Sequence, residues 1–143
     1  MKVDSHHFSK LGDWAEYQAS EIMTQQRFKI LARNYHSRFG EIDLIALNDQ
    51  TLIFVEVKAR AKTSHALAIE TITISKQKKI YKTAMIFLQQ NPEYEGLYYR
   101  FDVFCFDFHK KIAKNLQQNF SELSYDLEWI ENAFTLNEEL INL

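Results

Sequence analysis

Residues recur at roughly helical spacing from Asp13 to Gln26, with Trp14, Tyr17 (or Gln18), Glu21 and Ile22 on one stripe. The pattern predicts an amphipathic helix that starts at Gly12 or Asp13. Phe28–Ala32 is a short apolar run and reads as a strand, and Asn34–Gly40 reads as a polar loop. Two strongly β-prone segments follow, Glu41–Leu47 and Leu52–Lys58, joined by the turn-forming Asn48–Thr51. So short a link predicts an antiparallel hairpin. Strict alternation would set Ile42, Leu44 and Ala46 on one face and Ile45 and Leu47 on the other. In the second segment Ile53, Val55 and Val57 would oppose Leu52 and Phe54. Strands apolar on both faces belong in the middle of a covered sheet.

Beyond the hairpin, Ala61–Thr73 is polar and irregular. Ser75–Gln89 carries the stripe Ile80, Ala84, Phe87 and Leu88, which predicts a helix with Ser75 as its N-cap and Asn91–Pro92 at its end. Tyr99–Phe108 is a β-prone run, Lys111–Leu116 a candidate further strand, Leu127–Ile130 a short apolar segment, and Glu131–Leu143 a terminal helix. The succession of elements predicts one α/β domain over residues 12–143, with a mixed central β-sheet flanked by helices, after a flexible tail of residues 1–11.

Composition narrows the class. The chain has 143 residues, 20 of them aromatic, with three Gly and one Pro, which excludes disorder. A single Cys105 excludes a disulfide framework and is expected to be an inert core thiol. No apolar run approaches the roughly 20 residues that span a bilayer, and Met1–Lys10 has no signal-peptide core, so a cytoplasmic protein without a membrane partner is expected. The net charge of -2 argues, taken whole, against a nucleic-acid partner. Its distribution argues otherwise. Glu56–Lys82 holds seven Lys or Arg against two Glu, whereas residues 111–143 hold two Lys against six acids. The adjacent His6 and His7 have no partner ligands at useful spacing and read as tail residues; His36 and His65 read as loop residues and His109 as a turn residue.

Asp43, Glu56 and Lys58 interrupt the two most apolar strands. Burying a charge in such a strand costs several kcal/mol unless it is paired or binds an ion. Glu56 and Lys58 leave the same sheet face, and hairpin pairing brings Asp43 near Glu56. Two adjacent carboxylates force one to take up a proton unless a cation holds both. Oxygen ligands at a solvent-facing site suit Mg²⁺, with Lys58 left to orient a water or to stabilise developing negative charge. The alternative is plain ion pairing of Asp43 and Glu56 with Lys58 and Arg60 at strand ends.

Gly40–Glu41–Ile42–Asp43–Leu44–Ile45 followed by Phe54–Val55–Glu56–Val57–Lys58–Ala59–Arg60 resembles the YraN family of small bacterial proteins. Glu16 with Ala19, Ile30–Asn34, Ser75–Lys76–Gln77, Arg100–Val103 and Glu128–Phe134 extend the resemblance over most of the chain. That family is similar to the restriction-endonuclease-like (PD-(D/E)XK) superfamily and to Holliday junction resolvases. The resemblance implies a restriction-endonuclease-like fold. It implies metal-binding carboxylates at Asp43 and Glu56 with Glu16 assisting, and a catalytic lysine at Lys58. Arg60 and Lys76 resemble phosphate contacts, and Lys62, Lys79 and Arg38 join them as candidate nucleic-acid contacts. Glu41, whose alternation places it on Asp43's face, and Asp102, inside an aromatic strand beside Arg100, are weaker candidates. The expected function is Mg²⁺-dependent phosphodiester hydrolysis, with Mn²⁺ as a substitute. The partner is a nucleic acid, DNA ahead of RNA, branched or damaged DNA included, and a homodimer is implied by the resemblance alone. The alternative is a non-catalytic nucleic-acid-binding module that keeps the nuclease fold.

Overall fold

The computed structural model describes residue 8 and residues 10–61, 67–109 and 123–135. Two helices, α1 (Leu11–Gln25) and α2 (Ile74–Gln90), accompany five strands: β1 (Lys29–Ser37), β2 (Gly40–Asn48), β3 (Thr51–Ala61), β4 (Tyr98–Phe108) and β5 (Tyr125–Ile130). The strands lie side by side in the order β1-β2-β3-β4-β5. β1–β2, β2–β3 and β4–β5 are antiparallel, and β3–β4 is parallel. A parallel pair needs a crossover, and the segment containing α2 supplies it. This mixed α/β sheet with two helices fits the restriction-endonuclease-like architecture expected from the motifs.

Each face of the sheet carries its own apolar core. Leu11, Trp14 and Met23 of α1 pack with Leu44, Ile53, Val55, Phe104 and Phe106. Ile80, Ala84 and Phe87 of α2 pack with Ile45, Leu52, Phe54, Phe101 and Val103 on the other face. Alternating residues of β3 therefore feed opposite cores, which is why its sequence is apolar at nearly every position. Trp14 is fully buried, and its ring meets Phe106 at 5.2 Å and Tyr125 at 5.3 Å between centroids.

The hairpin forms as expected, with Asn48 paired to Thr51 across a turn in which Asp49 takes φ 49°. Several boundaries differ from the sequence reading. The polar segment after Ala32 is not a loop: β1 continues to Ser37, since polar side chains suit an edge strand with one side open. Only Arg38 and Phe39 turn. α2 is capped by Thr73 rather than Ser75, the Thr73 hydroxyl accepting from the Lys76 backbone N–H at 3.1 Å. Leu11, assigned to the tail by pattern, is buried as the first residue of α1. Residues 131–135 are not helical, with Glu131 and Asn132 in a turn. The remainder of the expected terminal helix, the candidate strand Lys111–Leu116, His6, His7 and His65 all lie outside the described residues.

One irregularity positions the site. Ile42 joins the α2-side core while Leu44 joins the α1-side core, so strict alternation fails between them. The β2–β3 register runs from Asn48↔Thr51 to Leu44↔Val55. Asn34, opposite this point on β1, takes the left-handed φ of 49° that Asn tolerates better than most residues. Past Leu44 the Val57 N–H is bonded by a side chain, the Asp43 carboxylate, at 2.8 Å.

Candidate functional site

The point where β2 and β3 part company gathers charged side chains from four elements. Asp43 stands on β2, fixed by the Val57 N–H on its Oδ2. Glu56 and Lys58 follow on β3, two residues apart and therefore on one face. Lys76 arrives from the first turn of α2, and its Nζ donates to Glu56 Oε1 at 3.2 Å. Glu16 comes from α1 and shares a side-chain hydrogen bond with Asp43. Asp43 is thus the common member, touching Glu16 and Glu56 alike.

Burial and like charge act together here. Glu56 is only 8% exposed. Its pKa is pushed up to about 7, first by burial and then by the charge and hydrogen bond of Asp43, with Lys76 and Lys58 pulling the other way. The Glu16 carboxyl is pushed up to about 8, again by burial first and then by Asp43, Asp13 and Glu41. Lys58 is shifted down by burial, with Glu56 opposing, so its neutral amine comes closer to reach. Burial also pulls on Lys76, but Glu56 and the hydrogen bond that Lys76 donates to Lys58 outweigh it and hold the ammonium charged. Two of the cluster's carboxyl groups thus hold protons more tightly than they would in water.

A cleft of about 360 Å³ opens beside Lys58, between Lys10–Ala15 at the start of α1 and Val57–Ala59 of β3. All the acidic donors of the cluster are carboxylate oxygens, the hard ligand type that Mg²⁺ prefers. Among the described residues, no group of three or more His, Cys, Asp and Glu side chains is already arranged around a metal position. Lys76 instead supplies the positive charge at Glu56.

The other sequence candidates scatter. Lys79 is exposed on α2, against Gly40. Arg38 is exposed at the β1–β2 turn. Arg60 lies largely buried, its Nε donating to Asp107 Oδ1 at 2.6 Å, so its charge is already met within the fold. Lys62 lies outside the described residues. Glu41 is exposed, 3.4 Å from His36 Nε2, and its charge reaches Glu16.

Asp102 is fully buried. Its carboxylate accepts from Arg100 Nε and Nη2 at 3.0 and 3.2 Å, from Trp129 Nε1 at 2.9 Å and from the Asn132 N–H at 2.9 Å. Trp129 belongs to the α1-side core, so this network lies on the opposite face from Glu56 and ties β4 to the chain after β5. Cys105 is buried, and burial pushes its thiol up to about 12, as an inert core thiol requires. Two participants escape the sequence reading. Asp107, the partner of Arg60, has no signal except its place in an aromatic strand. Phe39 sits in the segment that polarity reads as a loop, yet its ring is contacted by Arg38 and Lys82.

Comparison with known proteins places these motifs. Residues 15–106 match the model of the uncharacterised protein family UPF0102. A UPF0102 protein of Acinetobacter baumannii (strain AYE) is 57% identical over 128 residues, covering 90% of this chain and 96% of its own. A UPF0102 protein of Acinetobacter baylyi is 56% identical over 134 residues, 94% of each chain. One from Francisella tularensis subsp. novicida is 41% identical over 126 residues, 87% of this chain and 94% of its own. The matched stretch contains Glu16, Asp43, Glu56, Lys58 and Lys76 together, and the chain belongs to UPF0102, the YraN family that its motifs resemble.

Proposed function

We propose that this protein is a Mg²⁺-dependent nuclease that hydrolyses a phosphodiester bond of DNA. The observation that carries the reading is the meeting of Glu16, Asp43, Glu56 and Lys58 where β2 and β3 separate. Carboxylates coupled through Asp43, Glu16 on one side and Glu56 on the other, are costly without a cation between them, and a divalent ion would relieve that cost. Asp43 and Glu56 would hold the ion, with Glu16 assisting through Asp43. A bound Mg²⁺ supplies Lewis-acid polarisation of the phosphodiester and a lowered pKa for an attacking water.

The chain's own residues do the rest. The Val57 N–H keeps Asp43 in one rotamer. Lys58, its ammonium disfavoured by burial, orients the water and accepts its proton or neutralises the developing phosphorane charge. Lys76 rests on Glu56 and becomes free for a phosphate oxygen once another cation occupies that carboxylate. Exposed Arg38, at the β1–β2 turn, and Lys79 of α2, against Gly40, would follow the backbone beyond the cluster. Mn²⁺ is the expected substitute ion, and branched or damaged DNA the expected substrate among DNA forms.

The test is cleavage of branched and flap DNA by wild type and Asp43→Ala with Mg²⁺ or Mn²⁺. Cleavage by wild type, reduced at least about 100-fold in the variant, supports the reading. Equal activity in both removes Asp43 from the chemistry. Tight binding with no cleavage under either ion favours the non-catalytic binding module.

A further inference from the structure

The β1–β2 turn sets an aromatic ring among cations. Arg38 and Phe39 form the turn between the paired Ser37 and Gly40. The Arg38 guanidinium carbon lies 4.9 Å from the centre of the Phe39 ring, and Lys82 Nζ of α2 lies 5.1 Å from it. Both distances are within reach of a cation–π attraction.

The turn is held in place. The Phe39 N–H donates to Ser37 Oγ at 3.1 Å, and Ser37 Oγ is 2.7 Å from Thr83 Oγ1 on α2. Gly40 lies against Lys79, whose Cβ would be 3.5 Å from any side-chain carbon placed there. Phe39 is half-buried yet, among the described residues, belongs to neither apolar core. Among the described residues, neither Arg38 nor Lys82 is tied to a carboxylate in the manner of Arg60, Lys76 and Arg100. The turn leads straight into Glu41 and Asp43, and Glu41's charge is felt at Glu16, so the ring stands at the same end of the sheet as the carboxylate cluster.

A fixed aromatic ring flanked by positive charges is how proteins take up single-stranded nucleic acid: every base offers a π-face, and the cations follow the backbone. A base inside a continuous duplex is already stacked on both sides and offers the ring no face. We propose that Phe39, with Arg38 and Lys82, is a stacking site for an unpaired nucleobase next to the carboxylate cluster. The incoming base takes Arg38's place over the ring, and the released guanidinium meets a neighbouring phosphate. This rests on the nucleic-acid reading of the site and specifies its substrate class: DNA with unpaired nucleotides beside the scissile bond, rather than uninterrupted duplex.

The experiment measures binding of a single-stranded oligonucleotide carrying 2-aminopurine, in EDTA, by anisotropy and by quenching of the base's fluorescence. Wild type and Phe39→Trp are expected to bind and quench. Phe39→Ala is expected to bind roughly 5- to 150-fold more weakly, with quenching lost and the thermal melt unchanged. The fully paired duplex of the same sequence should bind wild type and Phe39→Ala equally. Quenching retained in a folded Phe39→Ala, or an equal loss on duplex and single strand, would overturn the stacking site. No ion and no cleavage enter the measurement, so an inactive protein that quenches leaves this proposal standing, and an active nuclease without quenching refutes it alone.

Discussion

Glu56 is buried beside a second carboxylate and beneath a lysine, so its charge state couples the site to the stability of the fold. Its pKa is about 7 in the folded protein, against an ordinary value of 4.5. The folded state therefore holds the proton more tightly than the unfolded state. The stability this brings is complete below about pH 4.5 and lost as pH rises through about 7. Glu16 acts in the same sense, with loss extending through about pH 8. In EDTA the melting temperature is expected to be higher at pH 6 than at pH 8.5, and added Mg²⁺ to reduce or reverse that difference. A melting temperature that rises with pH in EDTA would contradict it. Glu56→Gln removes the charge but keeps an acceptor for Lys76, and is expected to stabilise the metal-free protein at pH 8 by about 1–3 kcal/mol in urea unfolding. Lys76→Met, by contrast, leaves Glu56 buried without its cation. It is expected to cost about 1 kcal/mol at pH 8 and less at pH 5.5, where Glu56 is protonated, since the lysine is 40% exposed and its pair partly screened. An equal cost at both pH values would show that the pair does not depend on Glu56 ionisation.

Among the elements, the hairpin and the two helices were readable because each repeats one period long enough to be distinctive. Ile80, Ala84 and Phe87 mark the buried stripe of α2 directly, whereas on α1 only Trp14 of the expected stripe is buried, and the buried face runs through Ala15, Ala19 and Met23 instead. β1 was readable only as far as Ala32, because Arg33–Ser37 sets a single aromatic anchor, Tyr35 against Phe87, among polar residues that an edge strand tolerates. The break at Asp43 was also hidden. Alternation predicts Ile42 beside Leu44, and only the end of the β2–β3 ladder reveals that the strand changes face. Asp102 shows the converse limit: a carboxylate in an aromatic strand signals that something holds it, but not what. Four donors hold it, on the face away from Glu56. Asp102→Ala is expected to cost about 3–5 kcal/mol by urea unfolding, because the Trp129 indole N–H and the Asn132 N–H lose their buried acceptor and Arg100 keeps only its 3.8 Å approach to Glu131. Activity per folded molecule should remain within a few-fold of wild type. A stable variant with abolished activity would instead place Asp102 in the chemistry.

For the whole molecule, the placement of charge separates what the net charge of -2 merges. The positive segment Glu56–Lys82 folds so that Lys58 and Lys76 enter the carboxylate cluster, Lys79 and Lys82 flank the β1–β2 turn, and Arg60 is consumed by Asp107. The sequence count treats these side chains alike; the fold divides them between the carboxylate cluster, the surface and internal ion pairing. DNA binding is accordingly expected to weaken linearly in log Kd against log salt, with Lys79→Ala reducing the slope by about 1 and Arg60→Ala leaving the slope unchanged. An equal reduction by both would mean that Arg60 leaves Asp107 on binding. The charged residues of the cluster were legible as a motif, Asp43 followed by Glu56 and Lys58, whereas Lys76's seat on Glu56 depends on the crossover helix and has no local signature. The central claim is that this cluster is a divalent-cation site. It is tested most directly by calorimetric titration of Mg²⁺ into wild type and Glu56→Ala at pH 7.5. Saturable binding to wild type with proton release, and its loss in the folded variant, is the predicted result; equal Mg²⁺ binding by the two proteins would contradict it.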